Sequence, residues 1–206
     1  MMEIYGERYH LEVLRRVELP AICPRIVIPT YIMNPTMQNV LEVCLKSIHH
    51  YTHEPCEIWV IDNCSPTKYL EWLITYPCCV QGPKINLVLN RTMPLGPKNR
   101  SWWNRIFSSR KSLLDMSYAN AVGLEIGRRV IDPATAYMMT MHSDVMVCHP
   151  GWLTYLKSNI KDRVAGAGVR IDRVRTPEGV LHILGALFDF QVLQDFGLTF
   201  QPDLPS

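Results

Sequence analysis

Apolar residues along this chain follow two rhythms. Short β-branched runs, Arg25-Ile26-Val27-Ile28-Pro29-Thr30, Glu57-Ile58-Trp59-Val60-Ile61-Asp62 and Ile85-Asn86-Leu87-Val88-Leu89-Asn90, predict buried strands. Between them the spacing turns helical. Asn34-Pro35-Thr36 opens a helix whose Val40, Leu41, Cys44, Leu45 and Ile48 should bury one face, and which should end near the His49-His50-Tyr51-Thr52-His53 cluster. Pro66 to Tyr76 predicts a second helix with Pro66 in its first turn. Strand, helix, strand, helix, strand in that order implies right-handed crossovers and an α/β fold with a mostly parallel central sheet flanked by helices.

Further along, Leu113 to Val130 resumes a helix, and Asp132-Pro133 turns the chain into the run Tyr137-Met138-Met139-Thr140-Met141, which breaks into His142-Ser143-Asp144. Gly151-Trp152-Leu153 starts another helix. Val164 to Val169 and Leu181 to Phe190, the latter interrupted at Gly185, predict two more strands. Residues 91–112 break the rhythm with Pro94, Gly96 and Pro97 and read as a long inserted loop, a length uncommon in compact domains unless it serves binding. The organisation is an N-terminal extension, 1–24, followed by one domain, 25–206.

Composition narrows the classes. With 206 residues and 48% hydrophobic content the chain can bury a full core. A net charge of +2 gives no global electrostatic reason for a nucleic-acid partner. Cys23, Cys44, Cys56, Cys64, Cys78, Cys79 and Cys148 form an odd set without zinc-ribbon spacing, which fits reduced thiols and a cytoplasmic setting. The acidic and basic residues of Met1 to Arg8 do not make a secretory signal. No transmembrane segment is expected, since no run approaches the roughly 18 apolar residues that a bilayer span needs; peripheral association with a membrane stays open.

Three strand exits carry the candidate chemistry: Pro29-Thr30-Tyr31, Asp62-Asn63-Cys64-Ser65 and His142-Ser143-Asp144. Parallel strands would bring all three to one sheet edge, where ligands of open α/β sheets bind. An aromatic can stack on a base, a carboxylate can accept from an imide N–H, and a second carboxylate can hold a divalent cation on a diphosphate. Each residue also has a local reading. Tyr31 can be a packed loop aromatic, Asp62-Asn63 an Asx turn, and Asp144 a cap for the segment that follows. The His49, His50 and His53 cluster closes a helix, where histidine suits the C-terminal dipole better than a metal.

Ile26-Val27-Ile28-Pro29-Thr30-Tyr31, Val60-Ile61-Asp62-Asn63-Cys64-Ser65-Pro66, Tyr118-Ala119-Asn120-Ala121-Val122-Gly123, and His142 to Val147 with Pro150-Gly151-Trp152-Leu153 resemble the successive motifs of family 2 glycosyltransferases with the GT-A fold. The resemblance runs over roughly residues 25 to 200. It implies a nucleotide-diphosphate sugar donor, with UDP-sugar expected, transfer with inversion to an acceptor hydroxyl on a carbohydrate or glycoconjugate, and Mn2+ or Mg2+ as cofactor. By resemblance Pro29, Thr30 and Tyr31 border the nucleobase, Asp62 and Asn63 bind it, and Asn120, His142 and Ser143 lie beside the donor. Asp144 matches the last acid of the family's Asp-x-Asp metal motif, whose first acid is replaced by His142; imidazole can ligate manganese but brings no negative charge.

The family's catalytic base usually lies in an acidic pair well after the metal motif, and that pair is absent here. Asp189, Asp195 and Asp203 are its substitutes by position, with Asp195 expected to face solvent on a short helix. Loss of the base leaves a catalytically impaired sugar-nucleotide or glycan-binding module as the alternative. Lys98, Arg100, Trp102, Trp103 and Arg105, with Arg110 and Lys111, could meet a diphosphate or an anionic acceptor. The same mixture over 98–111 suits single-stranded nucleic acid, and a solvated loop with both tryptophans packed beneath it is the plain reading.

Overall fold

The computed structural model describes residues 1–77, 82–94, 110–169 and 181–201, with side chains from residue 117 onward in the helix that starts at 110. Its centre is a seven-stranded sheet. Strands β4 (Arg25–Thr30), β5 (Glu57–Asn63), β6 (Lys84–Asn90) and β7 (Tyr137–Met141) form its parallel core in the order β6-β5-β4-β7. The edges are antiparallel. β3 (Leu11–Arg15) pairs with β6 on one side, while β9 (Gly185–Asp189) pairs with β7 and then with β8 (Gly166–Gly168) on the other.

The segment 1–24, which the sequence marks as an extension, is thus woven into the fold. Besides β3 it forms a hairpin of β1 (Met2–Ile4) and β2 (Glu7–Tyr9), turned by Tyr5 and Gly6 at φ 52° and 79°. Positive φ at both central residues matches the twist of a two-residue hairpin. Ile4 and Tyr9 are fully buried.

Helices cover both faces, which is why the central strands read as continuous apolar runs rather than alternating ones. On one face α1 (Pro35–Tyr51), α2 (Thr67–Thr75) and α4 (Trp152–Ser158) enclose Ile26, Ile28, Ile58 and Val60. On the other, α3 (Arg110–Val130) packs Tyr118, Val122 and Ile126 against Val27, Trp59 and Ile61. The inserted loop expected over 91–112 gives up its last residues to α3, and 95–109 lie outside the described residues. Asn34 caps α1, its side chain accepting from the Met37 N–H at 2.9 Å. Leu41, Cys44, Leu45 and Ile48 are buried as the spacing predicts, but Val40 is 39% exposed. It sits at the outward border of the stripe.

The face toward α3 is set by glycine. A Cβ on Gly127 would lie 2.3 Å from Val27 Cγ1, and one on Gly123 would lie 2.7 Å from Pro29 Cβ and 2.9 Å from Asn63 Nδ2. The helix therefore lies against β4 and the end of β5 at a distance only glycine permits. At the opposite end of the sheet Arg25 and Glu57 form a fully buried ion pair at 3.0 Å. Glu57 also accepts from Trp59 Nε1 at 2.7 Å, Asn86 Nδ2 at 3.2 Å and the Leu19 N–H at 2.6 Å. Arg25 donates to the carbonyls of Leu19, Pro20 and Cys23. These bonds offset most of the cost of burying the charges, although the Arg25 Nε is left without a partner among the described residues.

Replacing Gly127 by alanine ordinarily gains about 1 kcal/mol of helix propensity, against about 1–3 kcal/mol lost by overpacking a core. Val27 is β-branched and held in the sheet, so the loss should win. Urea denaturation of Gly127→Ala is expected to show lower stability, partly recovered when Val27→Ala is added.

Candidate active site

The order β6-β5-β4-β7 places the first parallel strand between its two parallel neighbours, and the crevice of such a sheet opens at the carboxyl ends where the order reverses. Thr30 pairs with Asp62, and Val27 with Thr140 just before the end of β7. The exits holding Thr30-Tyr31, Asp62-Asn63 and His142-Ser143-Asp144 accordingly share one edge. Pro29, Thr30, Asp62 and Asn63 are buried there, while Tyr31 is 37% exposed, His142 and Ser143 are half-buried, and Asp144 is exposed.

The buried residues build the rim. Asp62 accepts from the Ser65 hydroxyl through Oδ1 and from the Ser65 N–H through Oδ2 at 3.0 Å. The Ser65 Oγ accepts in turn from the Ile32 N–H at 2.7 Å, tying the β5 exit to the β4 exit. This is the Asx-type turn that the sequence left open, with Cys64 at φ 69° to close it. Burial raises the Asp62 carboxyl above its ordinary value, and the two Ser65 bonds oppose that shift. Asn63 donates to the Ala119 carbonyl at 2.8 Å and accepts from Asn90 Nδ2 at 3.1 Å. Both ends of its amide are committed. Asp62 and Asn63 thus hold the turn at the β5 exit.

Asn120 and His142 meet directly, with Nδ2 3.0 Å from Nε2. Burial lowers the His142 pKa, helped by His182 and opposed by Asp144. The imidazole is held neutral, with one nitrogen engaged by Asn120. His182 was not singled out from the sequence; its ring centroid lies 6.4 Å from that of His142. The predicted strand Leu181 to Phe190 starts at Gly185, which leaves His182 in the turn before β9, at the level of Met141. Asp144 makes no hydrogen bond or ion pair among the described residues. A cleft of about 320 Å3 opens beside it, between α1 and Val145-Met146.

The base candidates lie elsewhere. Because β9 runs antiparallel to β7, Asp189 pairs with Tyr137 at the start of β7, on the opposite edge of the sheet. Its carboxylate caps α5 (Phe190–Asp195) by accepting from the N–H groups of Gln191 at 3.0 Å and Val192 at 3.2 Å. Asp195 is exposed at the far end of that helix. Strand direction thus carries Asp189 away from the rim, while Asp195 faces solvent on a short helix as expected. Asp203 and the loop residues Lys98, Arg100, Trp102, Trp103 and Arg105 lie outside the described residues.

Ser65→Ala removes the hydroxyl donor from Asp62 and the acceptor of Ile32 while keeping the backbone N–H bond, and a buried unsatisfied group costs about 1–3 kcal/mol. The lost hydroxyl bond favours the ionised carboxylate, so the variant raises the Asp62 pKa further. Its penalty is full above the folded pKa and shrinks as pH falls through it. Denaturation should show a larger deficit at pH 7 than at pH 4.

Residues 25–92 match the family model Glycosyl transferase family 2. Comparison with curated proteins gives no match. Among solved structures, the mannosyltransferase PcManGT from Pyrobaculum calidifontis, in complex with GDP-Man and Mn2+, is 16% identical with a TM-score of 0.54, over 84% of this chain and 46% of that one. Residues 1–349 of S. aureus TarS are 15% identical with a TM-score of 0.56, over 90% of this chain and 52% of that one. Mouse xyloside xylosyltransferase 1 in its apo form is 10% identical with a TM-score of 0.51, over 86% of this chain and 70% of that one. The chain spans about half the length of the first two. Residues 25–92 thus match glycosyl transferase family 2, and the chain shares the GT-A fold of these solved glycosyltransferases.

Proposed function

We propose that the chain is a glycosyltransferase that takes a nucleotide-diphosphate sugar, a UDP-sugar in the first instance, and passes the sugar with inversion to a hydroxyl of a carbohydrate or glycoconjugate. One observation carries the reading: the exits of β4, β5 and β7 share the edge at which strand order reverses, with Tyr31 and Asp144 open to solvent there. The GDP-Man and Mn2+ held by PcManGT support a nucleotide-sugar donor and a divalent cation. The free thiols of Cys23, Cys44, Cys56, Cys64 and Cys148 suit a cytoplasmic setting, and no described helix is long and apolar enough to cross a membrane.

The rim fits a cation that arrives with its ligand. No group of three or more His, Cys, Asp or Glu among the described residues is arranged to hold a metal alone. Mg2+ and its like are commonly bound by one or two carboxylates plus substrate phosphates and water. Asp144 would hold the cation, with His142 as a second donor through Nε2 in exchange for its Asn120 bond, since a neutral ring that accepts there carries its proton on Nδ1. When bound, it would stabilise charge on the leaving diphosphate.

The chain's own residues supply orientation. Tyr31 offers a ring for base stacking beside Thr30, and Ser143 offers a hydroxyl to the donor. Asn120 fixes the ring of His142. Attack by the acceptor oxygen forms the new glycosidic bond at the anomeric carbon as the bond to diphosphate breaks, and the hydroxyl proton leaves to a base other than Asp189 or Asp195. The distance of those two acids from the rim favours one second reading, a sugar-nucleotide or glycan-binding module without turnover. Calorimetric donor binding with no transfer to any acceptor would select it.

Thermal-shift measurements with UDP, GDP, dTDP and CDP, each with and without Mn2+, test the reading. A ligand at about a hundred times its dissociation constant stabilises by about 2.7 kcal/mol. One nucleotide is expected to shift the melting temperature only with metal. Asp144→Ala should abolish that metal-dependent part and leave the unliganded melting temperature unchanged. No shift from any nucleotide, or a full metal-dependent shift in Asp144→Ala, would overturn the proposal.

A further inference from the structure

The turn before β9 carries a ring whose hydrogen bonding is set by the backbone. His182 Nδ1 accepts from the Leu184 N–H at 3.2 Å, so that nitrogen turns its lone pair to the chain and the ring proton sits on Nε2. The His182 carbonyl accepts from the Gly185 N–H at 3.3 Å and closes the same turn. Neighbouring strands hold the turn in place. The Leu184 carbonyl accepts from the His142 N–H at 3.1 Å, and the Gly185 carbonyl accepts from the Val169 N–H at 3.0 Å. Leu181 Cδ1 lies 3.2 Å from where a Cβ on Gly166 would stand, so the start of the turn packs on β8. A donor seated in this way is ordered before any ligand arrives, which lowers the cost of binding.

That turn stands beside the one that carries Asp144. β7 and β9 pair Met141 with Gly185, the His142–Leu184 bond extends the ladder, and the chain then turns through a bond from the Val145 N–H to the His142 carbonyl at 3.2 Å. The rings of His142 and His182 meet edge to face, with centroids 6.4 Å apart. Half-buried His182 thus borders the rim where Asp144 is proposed to meet a cation. Its tautomer decides what it can do there. An Nε2 that bears a proton has no lone pair for a metal ion and cannot take the proton of an acceptor hydroxyl, but it can donate one directed hydrogen bond. The order β5-β4-β7-β9 sets Tyr31, Asp144 and His182 in succession, so a nucleotide with its base at Tyr31 and its cation at Asp144 brings its farthest phosphate to His182. Charged phosphate oxygens are strong acceptors, and they gain charge as the bond to the sugar breaks. We infer that His182 is a diphosphate-binding residue whose Nε2–H donates to a β-phosphate oxygen of the nucleotide. This role rests on the donor-site reading above.

The test titrates the full chain, with Mg2+ present, with UDP, GDP, dTDP and CDP and with the matching monophosphates in a calorimeter. His182→Asn keeps an oxygen for the Leu184 N–H, as asparagine does in turns, but ends short of Nε2, whereas His182→Gln carries an amide N–H to about that reach. His182→Asn should weaken the diphosphate that binds the wild type by about tenfold or more, the size of a lost bond to a charged oxygen, and leave its monophosphate within about twofold. His182→Gln should recover most of that loss, which a role in the turn alone does not predict. In nitrogen-resolved spectra of ring-labelled histidine, wild-type His182 should show the Nε2–H tautomer, and its Nε2 signal should move with the diphosphate and not with the monophosphate. Equal loss for both nucleotides, unchanged diphosphate affinity in His182→Asn, no recovery in His182→Gln, or an Nδ1–H tautomer would overturn the inference while leaving the donor site in place. Failure of the wild type to bind any of these diphosphates would remove the donor reading and this role with it.

Discussion

Parallel hydrogen bonding of β4 on both of its edges is the constraint from which the site follows. Its parallel pairing with β5 on one side and β7 on the other means that all three strands run the same way, so their exits must emerge at the same end. No single motif has to create the crevice. Connection handedness and strand direction do so before any side chain is chosen.

Stability and chemistry are separated along that axis. The amino ends of β4 and β5 hold the Arg25–Glu57 pair, sealed by Trp59, Asn86 and the backbone of residues 19–23. That end anchors the sheet to the chain leading into it. At the carboxyl ends the polar contacts serve a different purpose. Ser65 ties two exits together, Asn63 ties one of them to α3 and β6, and Gly123 lets α3 come close enough for Asn120 to reach His142. The glycine spacing in α3 is thus a positioning device as much as a packing one: a wider helix-to-sheet gap would separate Asn120 from the ring it orients.

The parallel core was legible because strands buried on both faces have to be mostly apolar, and the middle stretches of β4 to β7 are. The helices between them were legible from spacing and from the Asn34 cap. What the sequence could not convey was direction at the sheet edges. Leu181 to Phe190 reads as a strand either way, and the choice of antiparallel pairing alone sends Asp189 to the far edge and brings His182 to the rim. The short strands β1 to β3 lack the length or alternation that would announce them, and β3 earns its place by pairing with β6. Val40 looked like core because its spacing fits the stripe. Only the absence of a neighbour over that part of α1 distinguishes a core valine from one lining a cleft.

Two carboxylates at one rim end up with opposite fates. Asp62 and Asp144 both follow apolar runs, and sequence alone ranked them together as ligand-binding acids. Asp62 is withdrawn from water, its charge sustained by Ser65 against a burial that favours the protonated form. Asp144 stays in water with its oxygens uncommitted. A cation accompanied by a diphosphate needs an acid whose lone pairs are free, and among the described residues the Asp144 oxygens are. The two environments differ accordingly: Asp62 shapes the turn at the β5 exit, and Asp144 stays exposed after β7.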